Sequence, residues 1–176
     1  MTGEEKPKAL ILNSRQNLRP CGNDPWVINT GRAVEDIARS RFRLLTSVGM
    51  NSWEFALYYG ACRRVPLEIF VPADKTFVRE KLKDYYIRQF RLENCDIVWH
   101  FITADNLSEL ETIEILRDRI MIKAADMIYP ISIRSGGNLD KLLEMRRGTT
   151  MINDKYQIPY LLPERTHCYR LNMTRI

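Results

Sequence analysis

The sequence has no long apolar segment. No apolar run approaches the roughly 18 residues that a membrane-spanning helix needs, and the polar start over Met1–Lys8 is not followed by the apolar stretch of a secretion signal. We therefore expect a cytoplasmic protein without a membrane segment, in which residues 1–8 form a polar N-terminal extension.

Cysteine and histidine are scarce, with four cysteines and two histidines in 176 residues. The scattered cysteines form no Cys-x-x-Cys pair, so the spacing typical of a zinc site is absent. We expect reduced thiols and predict neither a metal ion nor a cofactor. His167 and Cys168 are adjacent, but adjacency alone does not indicate a nucleophile and its base.

Two phosphate-binding glycine motifs are also absent. Neither Gly-x-Gly-x-x-Gly nor Gly-x-x-x-x-Gly-Lys-Ser/Thr occurs, which excludes the usual dinucleotide fingerprint and the P-loop. Eight glycines and eight prolines are too few for a disordered or fibrous chain. The composition, 45% hydrophobic and 28% charged, is that of a globular domain large enough to build a core without disulfides.

What the sequence does have is a modest excess of positive charge. Lysine and arginine number 27 against 22 acidic residues, which gives a formal net charge of +5. This excess weakly favours anionic partners such as nucleotides or nucleic acid. The basic residues are spread along the chain, so we expect most of them on solvated helix faces.

Apolar runs alternate with helical periodicities along the chain. The run Ala9–Leu12 ends in polar residues, and Asp24–Pro25 then starts a helix that reaches about Ser40. Further strands are predicted over Phe42–Thr46, Val65–Val71, Ile97–Ile102, Met127–Ile133 and Thr149–Ile152. The intervening helices are predicted from an Asn51/Glu54 capping box to near Arg63, over about 78–90, from a Ser108/Glu111 capping box to Ala124, and over Leu139–Arg147.

This alternation predicts an α/β fold. We expect a single Rossmann-like, doubly wound domain over residues 9–152, with a mostly parallel sheet of five to six strands and helices on both faces. Residues 153–176 are expected to form a C-terminal tail that packs on the domain or extends it.

Ligands of doubly wound sheets bind beyond the carboxyl ends of the strands, at the switch in strand order. Two short polar loops in such positions carry Ser14 with Arg15, and Ser47 with Gly49. Because each loop leads towards a helix N-terminus, it is suited to hold an anion.

The loop after the fifth predicted strand has the strongest signal. Arg134 can hold a phosphate through two parallel hydrogen bonds, and Ser135 adds a hydroxyl group. Gly136 and Gly137 allow close approach of the backbone to a ligand. The alternative is a plain strand-to-helix turn with a surface arginine, because glycine pairs are common in turns.

Catalytic residues are weakly specified. Glu54 and Asp140 are the site-adjacent carboxylates and therefore weak candidates for acid–base work. His100 lies inside an apolar strand and is expected to be a packed core residue. Arg117 and Arg119 are more typical of a solvated helix face than of a site.

Three aromatic residues alternate with basic ones near the third helix. They could stack nucleic acid bases against a positive surface, although a core position with charged neighbours in water is favoured. The residues are Tyr85, Tyr86 and Phe90, with Lys83, Arg88 and Arg91.

Short segments from Ala9 to Glu144 resemble, in order and spacing, the superfamily of the DNA-processing protein DprA (Smf) and the LOG enzymes, called SLOG. Asn13-Ser14-Arg15 is similar to the Gly-Ser-Arg that follows its first strand. The stretch Leu44–Gly49 resembles its second strand and glycine turn. The best match pairs Arg117-Asp118-Arg119-Ile120 with an Arg-Asn-Arg-Ile helix, and Arg134–Leu139 with an Arg-Ser-Gly loop, as in DprA-like members.

The resemblance implies a Rossmann-like fold whose glycine loops hold the phosphates of a nucleotide or of single-stranded DNA. It also implies that Arg15, Arg117, Arg119 and Arg134 line the site. The chain departs from DprA-like proteins over Met50–Glu54, where their Arg and His are missing, and from LOG enzymes after Gly137, where their third glycine and threonine are missing.

Three functions follow. The first is binding of a nucleotide or nucleotide derivative, the second is DprA-like binding of single-stranded DNA, and the third is LOG-like hydrolysis of the N-glycosidic bond of a nucleotide. A homo-oligomer is possible in each case.

Overall fold

The computed structural model describes residues 6–16, 20–73, 78–103 and 113–161. Within these ranges strands and helices alternate. The strands are β1 (Lys8–Asn13), β2 (Arg43–Ser47), β3 (Leu67–Ala73), β4 (Ile97–Thr103), β5 (Met127–Ser132) and β6 (Met151–Ile152). The helices are α1 (Pro25–Arg39), α2 (Asn51–Cys62), α3 (Arg79–Phe90), α4 (Ile113–Ala124) and α5 (Asn138–Glu144), and a 3-10 turn follows over Asp154–Tyr156.

The strands form one parallel sheet in the order β4-β3-β2-β1-β5-β6. The chain first builds outward from β1 to β4 and then crosses back, through α4, to place β5 on the other side of β1. One core cluster contains side chains of α1, α2 and α3, and a second contains side chains of α4 and α5. Helices therefore cover both faces, and the predicted Rossmann-like α/β fold is confirmed.

The central strand β1 is buried on both faces. Ala9 and Ile11 pack in the first core cluster, and Leu10 and Leu12 pack in the second. This two-sided burial is why the segment is apolar throughout instead of alternating with polar residues.

The strand β3 begins and ends two residues later than predicted and includes Pro72. Its pairing with β2 stops at Phe70, opposite Ser47, and its last three residues pair with β4 alone. A proline lacks the N–H that a second neighbouring strand would need, so it is tolerated where one side of the strand is unpaired.

The Ser108/Glu111 capping box lies outside the described residues, as do His167 and Cys168. In the described part of the chain, no helix has both the length and the apolar character needed to cross a membrane.

Gly60 in α2 brings this helix close to the sheet. A Cβ atom at this position would lie 2.9 Å from Leu44 Cδ2 and 3.0 Å from Leu67 Cδ2, and both leucines are fully buried. We expect Gly60→Val to lower the free energy of unfolding by about 2 kcal/mol, because the added methyl groups overpack the core. Urea denaturation monitored by circular dichroism measures this change.

Ala61→Val, one position along the same helix, is the matched control. It adds a β-branched side chain to the same helix away from the two leucines, at a helix-propensity cost of about 0.5 kcal/mol. Replacing glycine by valine carries no such cost, because glycine is the poorer helix former, so a larger loss at Gly60 measures the overpacking. An equal loss in both variants would contradict close packing at Gly60.

Candidate ligand site at the carboxyl edge of the sheet

The switch in strand order lies between β1 and β5, whose chains continue to opposite sides of the sheet. Hydrogen bonds join the two loops that leave this point. The Ser14 hydroxyl oxygen accepts a hydrogen bond from the Arg134 N–H at 2.8 Å, and the Ser14 N–H donates to the Ser132 carbonyl at 2.9 Å. The side-chain amide of Gln16 donates to the carbonyls of Ser14 and Ser132. The structure therefore brings these two predicted loops together at the switch point, and we call the region between them the switch crevice.

Two arginines lie on the switch crevice. The side chains of Arg15 and Arg134 are exposed, and neither forms an ion pair with a described carboxylate. The Tyr160 hydroxyl, near the C-terminal end of the described residues, donates a hydrogen bond to the Arg15 carbonyl oxygen at 3.0 Å and so holds the Arg15 backbone. Both guanidinium groups are thus carried on fixed backbone and remain accessible to an anion.

The glycine loop after β5 uses its N–H groups internally. Gly136 has a φ of +70°, and its N–H donates to Asp140 Oδ2 at 2.8 Å. The Gly137 N–H donates to the Arg134 carbonyl at 3.1 Å. Ser135 is exposed at the tip. The Asp140 carboxylate therefore occupies the position at Gly136 where a phosphate oxygen would otherwise accept.

The loop after β2 repeats this arrangement. Gly49 has a φ of +90°, and its N–H donates to Glu54 Oε1 at 3.0 Å. The predicted capping box is wrong by one residue, because Met50 is the residue that precedes α2 and no side chain caps the helix N–H groups there. Glu54 reaches beyond the helix to the glycine because the left-handed backbone at Gly49 turns its N–H towards the carboxylate.

Ser47 is a fully buried residue at the end of β2. Its hydroxyl donates to the Phe70 carbonyl of the neighbouring strand at 2.6 Å. The structure thus places this hydroxyl in a structural hydrogen bond at the end of β2, apart from the exposed groups of the switch crevice.

Arg117 is buried, which corrects the expectation of a solvated helix face. Its Nε and Nη2 donate to Asp118 Oδ1 at 3.0 and 2.8 Å, and its guanidinium carbon lies 5.5 Å from the centre of the Trp53 ring. Burial raises the pKa of Asp118, against the opposing effect of the adjacent guanidinium. The next arginine, Arg119, is exposed, because residues two apart point to different sides of a helix.

Two other expectations are corrected. His100 is not a packed core residue, because its side chain is 38% exposed at the outer strand β4, where its Nε2 lies 2.9 Å from Glu68 Oε2. Tyr85 is 50% exposed, whereas Tyr86 and Phe90 pack against or within the core. His100 is partly exposed because β4 is an edge strand. Tyr85 is exposed because α3 buries only Phe90.

Sequence reasoning placed Asn13 in the first candidate loop without giving it a role, and it missed Gln16; the two residues flank the predicted pair Ser14–Arg15. Asn13 is buried at the end of β1, donates to Thr30 Oγ1 at 3.1 Å, and leaves its own Oδ1 without a partner among the described residues. The available signal was their position directly at the end of a central strand.

In the described ranges, no group of three His, Cys, Asp or Glu side chains could hold a metal ion.

The buried pair Arg117–Asp118 generates a stability prediction. We expect Arg117→Met to lower the free energy of unfolding by about 3–5 kcal/mol, because the Asp118 carboxylate stays buried without its partner. The loss should be smallest near about pH 4 and grow as the pH rises, since a raised pKa favours the protonated carboxyl group and ionisation then costs stability. Urea denaturation across this pH range measures it.

The double variant Arg117→Met/Asp118→Leu should recover most of the loss, because no charge remains buried. A single variant that is as stable as the wild type, at every pH, would contradict a structural role for Arg117.

No protein-family model matches the chain, and no curated protein matches it in sequence. In structure the chain is similar to DNA processing protein A (DprA) from Helicobacter pylori, which is described with a unique single-stranded DNA binding mode. The TM-score is 0.55 and the sequence identity is 12%, over 81% of this chain and 61% of that one. The chain therefore spans less than two thirds of its neighbour. At this identity the likeness shows the fold alone, and the predicted resemblance is confirmed at that level: the chain has a DprA-like fold.

Proposed function

We propose that the switch crevice binds the phosphate of a nucleotide or nucleotide derivative. The observation that carries this proposal is the pair of exposed arginines, Arg15 and Arg134, on two loops that hydrogen bonds hold together at the switch point. A guanidinium group binds phosphate oxygens through two parallel hydrogen bonds. Because hydrogen bonds already hold the two loops, ligand binding has to order the arginine side chains but not the backbone that carries them.

The surroundings of the arginines limit what the crevice accepts. Asp140 lies beside Gly136 and adds a negative charge close to the phosphate position. We therefore infer that the arginine side chains and Ser135 make the contacts with phosphate, while the backbone N–H of Gly136 stays with Asp140. In this proposal Ser14, Gly137 and Gly136 shape the loops that hold the arginines.

Binding of single-stranded DNA is the second candidate. The likeness to DprA from H. pylori and the net charge of +5 favour it. DNA would present several phosphates, so its affinity would fall steeply with salt. A mononucleotide that contacts the protein through one phosphate would show a shallow dependence.

Hydrolysis of an N-glycosidic bond has less support. Glu54 and Asp140 each accept a hydrogen bond from a glycine N–H of their own loop, which is a sufficient structural reason for both carboxylates. The cytoplasmic location, the extension and tail around the domain, and a homo-oligomeric state stay predictions.

The first test of the proposal removes the arginines one at a time. We expect Arg134→Ala and Arg15→Ala each to lower the affinity for the best nucleoside monophosphate about tenfold or more, the size of a lost charge-assisted hydrogen bond. Titration calorimetry with mononucleotides and with a short single-stranded DNA, at two salt concentrations, measures this change and separates the two candidates.

Arg39→Ala is the matched control. Arg39 lies in the last turn of α1, at the opposite end of the sheet, and pairs only with Asp36 of its own helix among the described residues. Arg39→Ala removes the same charge without changing the crevice. Equal affinity losses in Arg15→Ala, Arg134→Ala and Arg39→Ala would show that only the net charge of the protein matters. No binding of any phosphate compound would refute the proposal.

The second test concerns Asp140. An asparagine at this position can still accept the hydrogen bond from Gly136, so Asp140→Asn should keep the loop and remove a repulsive charge. We expect tighter phosphate binding, by about fivefold, since two unit charges a few ångströms apart in water interact by about 1 kcal/mol. The same titration measures the affinity.

Glu144→Gln, which removes an exposed carboxylate at the other end of α5, should leave the affinity unchanged. A weaker affinity in Asp140→Asn, or loss of a hydrolytic activity on nucleotides, would instead assign Asp140 a direct role with the ligand.

A further inference from the structure

Two adjoining pockets lie between α2 and α3, apart from the switch crevice. The first, which we call the aromatic pocket, has a volume of about 280 Å³ and extends to the loop before α1; the second, which we call the polar pocket, has a volume of about 410 Å³ and extends to the loop after β2. Pockets for small molecules span roughly 300–1,000 Å³; the polar pocket lies within this range, and the aromatic pocket lies just below it. Neither pocket is lined by Ser14, Arg15 or Arg134.

The walls of the aromatic pocket are unusually rich in rings. Phe55, Tyr58, Tyr59 and Phe90 line it. Phe55 and Tyr59 have ring centres 4.7 Å apart, and Tyr58 meets Tyr59 edge to face at 6.3 Å. Such a wall offers both ring faces and ring edges, which are the surfaces that a planar aromatic ligand contacts best.

Gln89 joins the two pockets, because it lines both. Its side-chain oxygen Oε1 is buried and has no hydrogen-bond partner among the described residues. A buried acceptor without a partner costs free energy. Gln89 itself is only half-buried, so a rotation of its side-chain amide brings this oxygen to the place where the two pockets meet, and an N–H donor on a ligand would satisfy it there.

The two ends of this trough differ in charge. Glu54 lines the polar pocket and Arg91 lines the aromatic pocket. The Glu54 carboxylate uses Oε1 for the Gly49 N–H, and its second oxygen is a further acceptor for donors of a ligand. Hydrogen-bond acceptors therefore concentrate at the junction and in the polar pocket, and ring surfaces concentrate in the aromatic pocket.

We propose that this trough binds a planar heteroaromatic ring that carries an amino group, of the aminopurine class. The ring occupies the aromatic pocket against the half-buried rings of Phe55, Tyr58 and Tyr59. Its amino group points to Gln89 Oε1 and the polar pocket. The proposal does not depend on phosphate binding, because it uses none of the arginines of the switch crevice.

Gly22 provides a way to close the aromatic pocket without strain. It lines the pocket, and a Cβ atom added to it would meet nothing within 4 Å. The turn around it is held by the Cys21 N–H, which donates to Asp24 Oδ2 at 2.8 Å. A large side chain at residue 22 would therefore fit at the edge of the pocket without strain and leave the turn intact, where it can cover the opening. Alanine is the matched small control.

The experiment measures binding of adenine and of unsubstituted purine by titration calorimetry. The wild type should bind adenine about two- to tenfold more tightly than purine, the range expected for one neutral hydrogen bond. Gln89→Leu should remove this preference. Gly22→Trp should weaken adenine binding about tenfold or more, by excluding a ring from its aromatic contacts, and Gly22→Ala should leave it unchanged. Circular dichroism checks that each variant is folded.

Arg15→Ala and Arg134→Ala, which test the switch crevice, should leave adenine binding unchanged. Failure of phosphate binding with retained adenine binding would therefore refute the proposed function and not this site. Absence of adenine binding at millimolar concentration would overturn the proposal, as would equal affinities in the wild type, Gly22→Trp and Gln89→Leu. Self-association of the wild type that Gly22→Trp abolishes, without adenine binding, would overturn it in favour of an interface between copies of the chain.

Discussion

Parallel pairing of β1 with β5 is the constraint on which the candidate site depends. It aligns Ala9–Leu12 with Met127–Pro130 in the middle of the sheet, although more than a hundred residues separate them. After β1 the chain continues to β2 on one side of the sheet, and after β5 it continues to β6 on the other side. The loops that follow β1 and β5 therefore diverge and leave a crevice between them. The hydrogen bond from the Arg134 N–H to the Ser14 hydroxyl oxygen then joins the two loops close to the strand ends.

Internal carboxylates define the character of the glycine loops. In many phosphate sites the N–H groups of such loops bind the anion directly. Here Glu54 and Asp140 accept the hydrogen bonds of the Gly49 and Gly136 N–H groups, so these N–H groups have partners without a ligand. In the proposed function, recognition of an anion therefore depends on side chains, namely the exposed guanidinium groups of Arg15 and Arg134.

The α3 side of the domain is built differently from its centre. Only Phe90 of α3 is buried, and β4 is an edge strand with mixed exposure. This shallow packing leaves the aromatic and polar pockets open between α2 and α3. Because α3 covers this edge of the sheet incompletely, less apolar surface is buried there. The same incomplete cover leaves a concave surface with partly exposed aromatic side chains.

The sequence by itself determined the order of strands and helices, because apolar runs of four to seven residues and helical periodicities are local signals. It also placed Ser14, Arg15 and Arg134 on loops at the strand ends. Only the tertiary structure decided which arginines are buried: Arg117 packs under Trp53 because α4 crosses the sheet with that side inward. It likewise decided that Asp140 and Glu54 bind glycine N–H groups, since this contact requires a left-handed backbone at the glycine. Burial and backbone turns arise from contacts between segments distant in sequence, and local spacing does not encode them.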